Sequence, residues 1–232
     1  MSASPADSNP KKLGIVTGYR GEARCLSTRL NVLCSGADSG RARAAARQLH
    51  GEGVGGLVSF GLAGGLVPDV DPGDLLLPVA VVTPDGDRIP TDPAWRDELA
   101  AILGRSDIRG RDGPIAGSEH MVTTNASKRA LAASTCAVAV DMESHALAEV
   151  AAEAGLPLLV VRAIADSCDQ LLPSAVRGTI DARGAVRHHV LLAKLLIRPW
   201  QVVPLIALGR SSARGLATLR RVAALAPDLG FA

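Results

Sequence analysis

Two carboxylates stand where the sequence changes character, and both could do acid–base work. Asp166 closes Val160-Val-Arg-Ala-Ile-Ala-Asp166, just past an apolar strand. Partial desolvation there raises a carboxyl's pKa and lets it hold a proton near neutrality; capping a following helix is the simpler alternative. Glu143, in Val138-Ala-Val-Asp-Met-Glu-Ser144, opens an otherwise apolar helix. A carboxylate in that place either complements the helix dipole or accepts hydrogen bonds from two hydroxyls of a sugar. Gly61-Leu-Ala-Gly-Gly65 ends an apolar strand. Its missing side chains suit either a tight turn or a loop that a flat ligand or sugar approaches closely.

Other groupings offer less chemistry. A GxGxxG pattern at Gly51, Gly53 and Gly56 follows a helix and precedes a strand, the reverse of what a dinucleotide's pyrophosphate needs. The five histidines have no metal-binding spacing; His188-His189 reads as helix surface and His145 as a packing residue. Cys25, Cys34, Cys136 and Cys168 lie far apart with no CxxC pair. They suggest neither a disulfide framework nor a zinc site, and they fit a reducing cytoplasm.

The elements that must position these residues alternate along the chain. Strands are predicted at Leu13–Thr17, Asn31–Cys34, Gly56–Phe60, Asp74–Thr83, Ile108–Gly117, Ala137–Val140 and Leu158–Ala163. Helices are predicted at Ser39–His50, Asp92–Leu103, Asn125–Ala133 and Met142–Ala154, the last stopped by Gly155 and Pro157. Beyond Gly178 the chain reads as helical, broken at Pro199 and Pro204. This alternation predicts an α/β fold: one domain with a central mixed sheet flanked by helices. Ligands of such sheets sit beyond the carboxyl ends of the strands, which directs attention to 18–24, 35–36, 61–65, 141–143 and 163–169.

Composition agrees. Of 232 residues 47% are hydrophobic but only 2% aromatic, so the core must be built from Ala, Val, Leu and Ile. Residues 1–12 read as a disordered leader, 13–181 as the α/β domain, and 182–232 as a basic, apolar helical extension packed on it. Eight basic residues and no acid fall between Ala182 and Pro227, against 17 basic and 23 acidic elsewhere. An acidic partner, nucleic acid or an anionic membrane surface, is one reading of that asymmetry, and a solvated helix face is the other. No aromatic interleaving or reader motif supports nucleic acid. No signal peptide is apparent, and the uncharged runs 53–68 and 199–209 fall short of the roughly 20 apolar residues that span a bilayer. The expected location is cytoplasmic.

In order, GIVTGYRGEAR at 14–24, SGADSGRARAAA at 35–46, SFGLAGGL at 59–66, SEHMV at 118–122, VDMES at 140–144 and VRAIADSCD at 161–169 resemble the nucleoside phosphorylase and nucleosidase superfamily. The methylthioadenosine/S-adenosylhomocysteine nucleosidases are the nearest branch, and the likeness covers about residues 13–170. The resemblance implies an enzyme, a homodimer with no cofactor, in which Asp166 protonates purine N7 and Glu22 activates water. It further implies that Glu143 and Met142 hold and pack on the ribose, and that Met121 meets the purine edge. His120 takes the place of an aromatic stacked on the base, and Ala63 and Gly64 line base and sugar.

Three departures stand out. Leu62 occupies a position where relatives commonly have Ser or Thr. That loss weakens the case for a phosphate site, yet Arg20 and Arg24 flank Glu22 and, with Ser35, could bind phosphate, so hydrolysis, the favoured reading, and phosphorolysis (inorganic phosphate as co-substrate) both stay open. The second is His120 in place of a stacking aromatic, which suggests a changed pocket. The third is the tail, which resembles that of a hopanoid-associated branch whose proposed substrate is adenosylhopane, an adenosyl lipid that loses adenine to become ribosylhopane. Residues 186–221, with apolar stretches set among Lys and Arg, suit peripheral contact with the inner membrane surface or a greasy channel; a dimer interface or core-covering helix is the alternative. A nucleosidase for small adenosyl compounds and a non-catalytic purine-lipid binder are the rival expectations.

Overall fold

The computed structural model describes residues 12–106, 108–176 and 178–230, so the expected leader lies, up to Lys11, outside the described residues. Strand β1 (Leu13–Thr17) runs into a short helix, α1 (Arg20–Ala23), and β2 (Asn31–Cys34) into α2 (Ser39–Gly51). Asp38 caps α2 by accepting from the Arg41 N–H, as its helix-start sequence suggested. Next come β3 (Gly56–Gly65), β4 (Leu75–Leu76), β5 (Ala80–Val82), β6 (Arg88–Pro90) and α3 (Pro93–Gly104). Short strands β7 (Gly110–Arg111) and β8 (Pro114–Gly117) lead to α4 (Asn125–Thr135), β9 (Ala139–Asp141) and α5 (Ser144–Ala154). The long strand β10 (Leu158–Asp166) follows, then α6 (His188–Ile197) and α7 (Val202–Leu225).

The strands form one mixed ten-stranded sheet in the order β6-β5-β8-β9-β3-β10-β4-β7, with β1 and β2 off that path. β10 runs parallel to β3 along one edge, from Leu158 opposite Leu57 to Asp166 opposite Gly64. The other edge of β3 is divided. β1 pairs with Gly56–Ser59, and β9 pairs antiparallel with Gly64 and Gly65. The sheet therefore splits along Phe60–Ala63, and such a split is where an α/β sheet opens a crevice. Helices α2 and α5 cover one face with Ala42, Ala46, Leu49, Leu147 and Val150. Helices α3 and α7 cover the other with Trp95, Leu99, Leu103, Leu219 and Val222.

Several predicted boundaries move. The glycine run 61–65 is not a loop; it continues β3, because β10 supplies partners as far as Gly64 and β9 pairs with Gly64 and Gly65. The single strand expected over Asp74–Thr83 is two, β4 and β5, on either side of Pro78, which has no N–H for a ladder. β4 joins β10 and β7, whereas β5 joins β6 and β8. Pro204 does not break a helix. It lies in the first turn of α7, where backbone N–H groups lack intrahelical partners anyway. The segment read as an extension also enters the main core, since Leu219, Val222, Ala226 and Leu229 pack with the α3 side chains and Trp95 Nε1 donates to Leu229 O at 2.8 Å.

Candidate active site

At the split in the sheet lies a cavity of about 440 Å3. Its floor is made by the carboxyl ends of β1, β3 and β10 and the junction from β9 into α5. Glycines at these ends make room for charged side chains. A Cβ on Gly61 would stand 2.5 Å from Arg162 Nη1 and 2.6 Å from Glu22 Oε1; one on Gly18 would stand 2.8 Å from Glu143 Oε1.

Beneath the floor, the guanidinium of Arg162 is fully buried, ion-paired with Asp141 and Glu143 and near enough to Glu22 to favour its charged form. Its Nε lies 2.7 Å from Asp141 Oδ2 and its Nη2 lies 3.2 Å from Glu143 Oε2. Nη1 donates to Leu62 O at 3.2 Å and Nη2 to Ser59 Oγ at 2.5 Å. Ser144 holds Asp141 through both its N–H (3.1 Å) and its hydroxyl. Glu22, the third acid, accepts from Gly18 N (2.7 Å) and Tyr19 N (3.0 Å) at Oε2 and from Leu62 N (2.8 Å) at Oε1. An ionised carboxylate has about four acceptor sites, so one remains for a molecule in the cavity.

Three carboxylates sharing one guanidinium in a buried place cannot all ionise without cost. Burial, with the nearby charges of Asp141 and Glu22, pushes Glu143 up to about 8, although Arg162 opposes the shift. Burial also raises Glu22, against Arg162 and its three backbone donors. The crowding of negative charge in the floor therefore favours a protonated Glu143 near neutrality. Glu143 is the N-cap residue of α5 but makes no side-chain capping bond; its carboxyl turns to Arg162 instead.

Asp166 closes the floor at the end of β10. The next element is a 3-10 turn at Ser174–Val176, so it caps no helix. Its Oδ2 accepts from the ammonium of Lys128, which reaches in from the first turns of α4 and also donates to Ser167 O (2.6 Å) and Gln170 O (3.3 Å). Burial raises the Asp166 carboxyl above its ordinary value, with Lys128 pulling the other way. A carboxyl so placed can present a proton to a base and is left, once ionised, beside a fixed positive charge.

Glu22, Ala63, Gly64, His120, Met121, Met142, Glu143 and Asp166 all line this cavity. Arg20, Arg24 and Ser35 do not. Arg20 is exposed and its Nε donates to Arg183 O at 3.1 Å, Arg24 is exposed, and Ser35 is buried with its hydroxyl on Thr17 O at 3.2 Å. Among the described residues no Lys or Arg lines the cavity, and none form a cluster suited to a metal ion. Three charged groups of the site had no role assigned to them from the sequence. Arg162 had a signal, being the lone charge inside the apolar run Leu158–Ala165, where an unpaired charge is prohibitive. Asp141 was visible only as a neighbour of Glu143. Lys128, next to Arg129 on a polar helix, looks like any surface lysine.

The roof differs in kind. It comes from the chain after Asp166 and includes Leu172, Val176, Ile180, Leu191, Leu205 and Leu208. A second cavity of about 400 Å3 shares Ala37, His120, Met121, Met142, Val176 and Ile180 with the first, so the two form one larger depression.

A sequence profile described as the Phosphorylase superfamily matches residues 15–196. Comparison with curated proteins gives no match. Among solved structures, the fold is similar to that of Helicobacter pylori 5′-methylthioadenosine/S-adenosylhomocysteine nucleosidase with butyl-thio-DADMe-Immucillin-A, with a TM-score of 0.67, 18% identity, and 93% of this chain and 99% of that chain covered. The futalosine hydrolase of Helicobacter pylori gives 0.66, 18%, 93% and 98%. S-adenosylhomocysteine nucleosidase from Streptococcus pyogenes in complex with 5-methylthiotubericidin gives 0.64, 18%, 92% and 97%. At these identities the likeness is one of fold.

Proposed function

The chain belongs to the phosphorylase superfamily, and from that premise we propose that it cleaves the N-glycosidic bond of an adenosyl compound, releasing adenine. The observation that carries this reading is the convergence of Asp166, Glu143 and Glu22 on one cavity. Adenine leaves poorly as an anion. A proton passed from the Asp166 carboxyl to purine N7 as the C1′–N9 bond breaks contributes about 10²- to 10⁴-fold. Lys128 then balances the carboxylate that forms. Glu143 grips the ribose hydroxyls, its proton passing to solvent as substrate enters and the hydroxyls donate to it, and its charge steadies the cationic sugar. Met142 packs on that sugar, and His120, Met121, Ala63 and Gly64 border the base.

Water is the nucleophile in this reading. It adds to C1′ and gives its proton to the free acceptor site of Glu22. The acidic floor and a lining without Lys or Arg among the described residues both disfavour a phosphate dianion.

The apolar roof favours a substrate whose 5′ substituent is large and apolar over methylthioadenosine. With the likeness of the tail to the hopanoid-associated branch, we take the substrate to be adenosylhopane and the product ribosylhopane. Incubation with adenosylhopane and with methylthioadenosine, each with and without phosphate, tests both choices. Adenine and free ribosylhopane without phosphate are expected. A phosphate requirement would overturn hydrolysis, and faster turnover of methylthioadenosine would overturn the lipid. Binding without any adenine release would leave a purine-lipid carrier.

A further inference from the structure

The corner where α6 meets α7 is apolar on the side that faces away from the protein. On α6, His189, Leu192, Ala193, Leu196 and Ile197 are exposed at the spacing of one helix face, while Leu191 lines the cavity. On α7, Leu205 and Leu208 line the cavity, while Val203 and Ile206 are exposed. Trp200 lies in the 3-10 turn between the helices. The exposures are large: Leu192 62%, Leu196 85%, Ile197 75%, Trp200 70% and Val203 75%. Farther along α7 the exposed positions are Arg210, Arg214, Arg220 and Arg221 with Gly209, Ala213, Ala217, Ala224 and Leu225, the last 39% exposed, so the most exposed large apolar side chains of the two helices gather at the corner. The two helical segments meet there at a bend of 118°, and among the described residues no single helix is long and apolar enough to cross a membrane.

We propose that this corner docks on an anionic lipid bilayer, with Leu192, Leu196, Ile197, Trp200 and Val203 sunk among the acyl chains and the basic residues of 183–214 on the headgroups. A contiguous apolar patch marks an interaction surface, and charge selects this occupant: the tail from Ala182 to Pro227 holds eight cations and no acid. An exposed Trp between apolar helices suits a membrane–water boundary. The same two helices present one side to the bilayer and the other to the cavity, so a lipid tail would pass from bilayer to roof without crossing water. This deepens the adenosyl-lipid reading and rests on it for its purpose.

Trp200 is exposed and Trp95 buried, so Trp200 reports docking by fluorescence. The full chain is mixed with phosphatidylglycerol/phosphatidylcholine vesicles and with phosphatidylcholine vesicles alone. Expected are co-sedimentation and a blue shift on the anionic vesicles, with binding at least about fivefold weaker on neutral ones, the effect of a single basic residue at the surface. The Leu196→Asp/Val203→Asp protein should lose binding at least about tenfold yet turn over a soluble 5′-alkylthioadenosine as the unaltered protein does. Failure to bind, or equal binding by the altered protein, overturns the docking. So does a Leu196→Asp/Val203→Asp chain that changes from dimer to monomer when the unaltered protein ignores vesicles, since a second copy would then cover the corner. Loss of the chemical reading shows separately, as no adenine release by either protein.

Discussion

The floor of the cavity keeps its charged groups under tight control, whereas the roof is apolar and belongs to helices that are exposed on their other side. In the floor, Arg162 holds Asp141 and Glu143, three backbone N–H groups hold Glu22, and Lys128 holds Asp166. In the roof, Leu191, Leu205 and Leu208 offer only apolar surface. The contrast separates two jobs. In the function proposed, proton and charge placement would serve whatever carries an adenosyl group, and the roof would choose what hangs from the 5′ carbon. Damage to the floor should therefore hurt all substrates alike, and damage to the roof should hurt only those with an apolar tail.

The largest effect should come from Asp166→Asn. We expect kcat to fall about 10²- to 10⁴-fold for small and apolar-tailed substrates equally, with ligand binding retained in calorimetry. A loss confined to one substrate would dissolve the distinction. Next comes the roof. Leu205→Gln with Leu208→Gln should lower kcat/KM for an apolar-tailed adenosyl compound roughly 10- to 100-fold and leave methylthioadenosine nearly untouched; equal losses would make the roof a mere structural lid.

A smaller effect sharpens the floor. Lys128→Met removes the charge that opposes the burial-driven rise of Asp166. Activity that needs protonated Asp166 falls as pH rises through its pKa. The alkaline limb of kcat should therefore move upward by roughly one to three pH units, and an unmoved limb would detach Lys128 from the acid.

The smallest effect is on stability. Glu143 is raised from 4.5 to about 8 in the folded chain, so the fold keeps a proton that the unfolded chain releases above its ordinary pKa. Stability then declines as pH rises through that window, by at most about 1.4 kcal/mol per pH unit. Glu143→Gln removes this slope. Although inactive, it should be about 1–3 kcal/mol more stable than the unaltered protein at pH 8, with the gap closing toward pH 5 in thermal melts. Parallel melting curves across pH would deny the buried charge excess.

Much of the floor was legible because its residues break local rules in the sequence. Asp166 after an apolar strand, Glu143 at the head of an apolar helix and glycines at a strand end each read as departures with a use. The sheet was legible from the alternation of apolar runs, though its branching was not: β3 shares one edge between β1 and β9, and nothing local encodes that. Lys128 was hidden because burial depends on what packs over α4, not on its neighbours in the chain. The candidate phosphate residues Arg20, Arg24 and Ser35 lie near Glu22 in sequence or motif, yet the turn of α1 and the end of β2 aim them elsewhere. Pro204 suggested a break because the first turn of α7 cannot be told from its interior by composition alone.

One measurement bears on the division of labour most directly: kcat/KM for adenine release along a series of soluble 5′-alkylthioadenosines, methyl to decyl, without vesicles or detergent. Each added methylene that enters the roof should contribute about 0.8 kcal/mol, close to a fourfold rise, until the apolar wall is filled. A series that stays flat or falls from methyl onward would contradict the account.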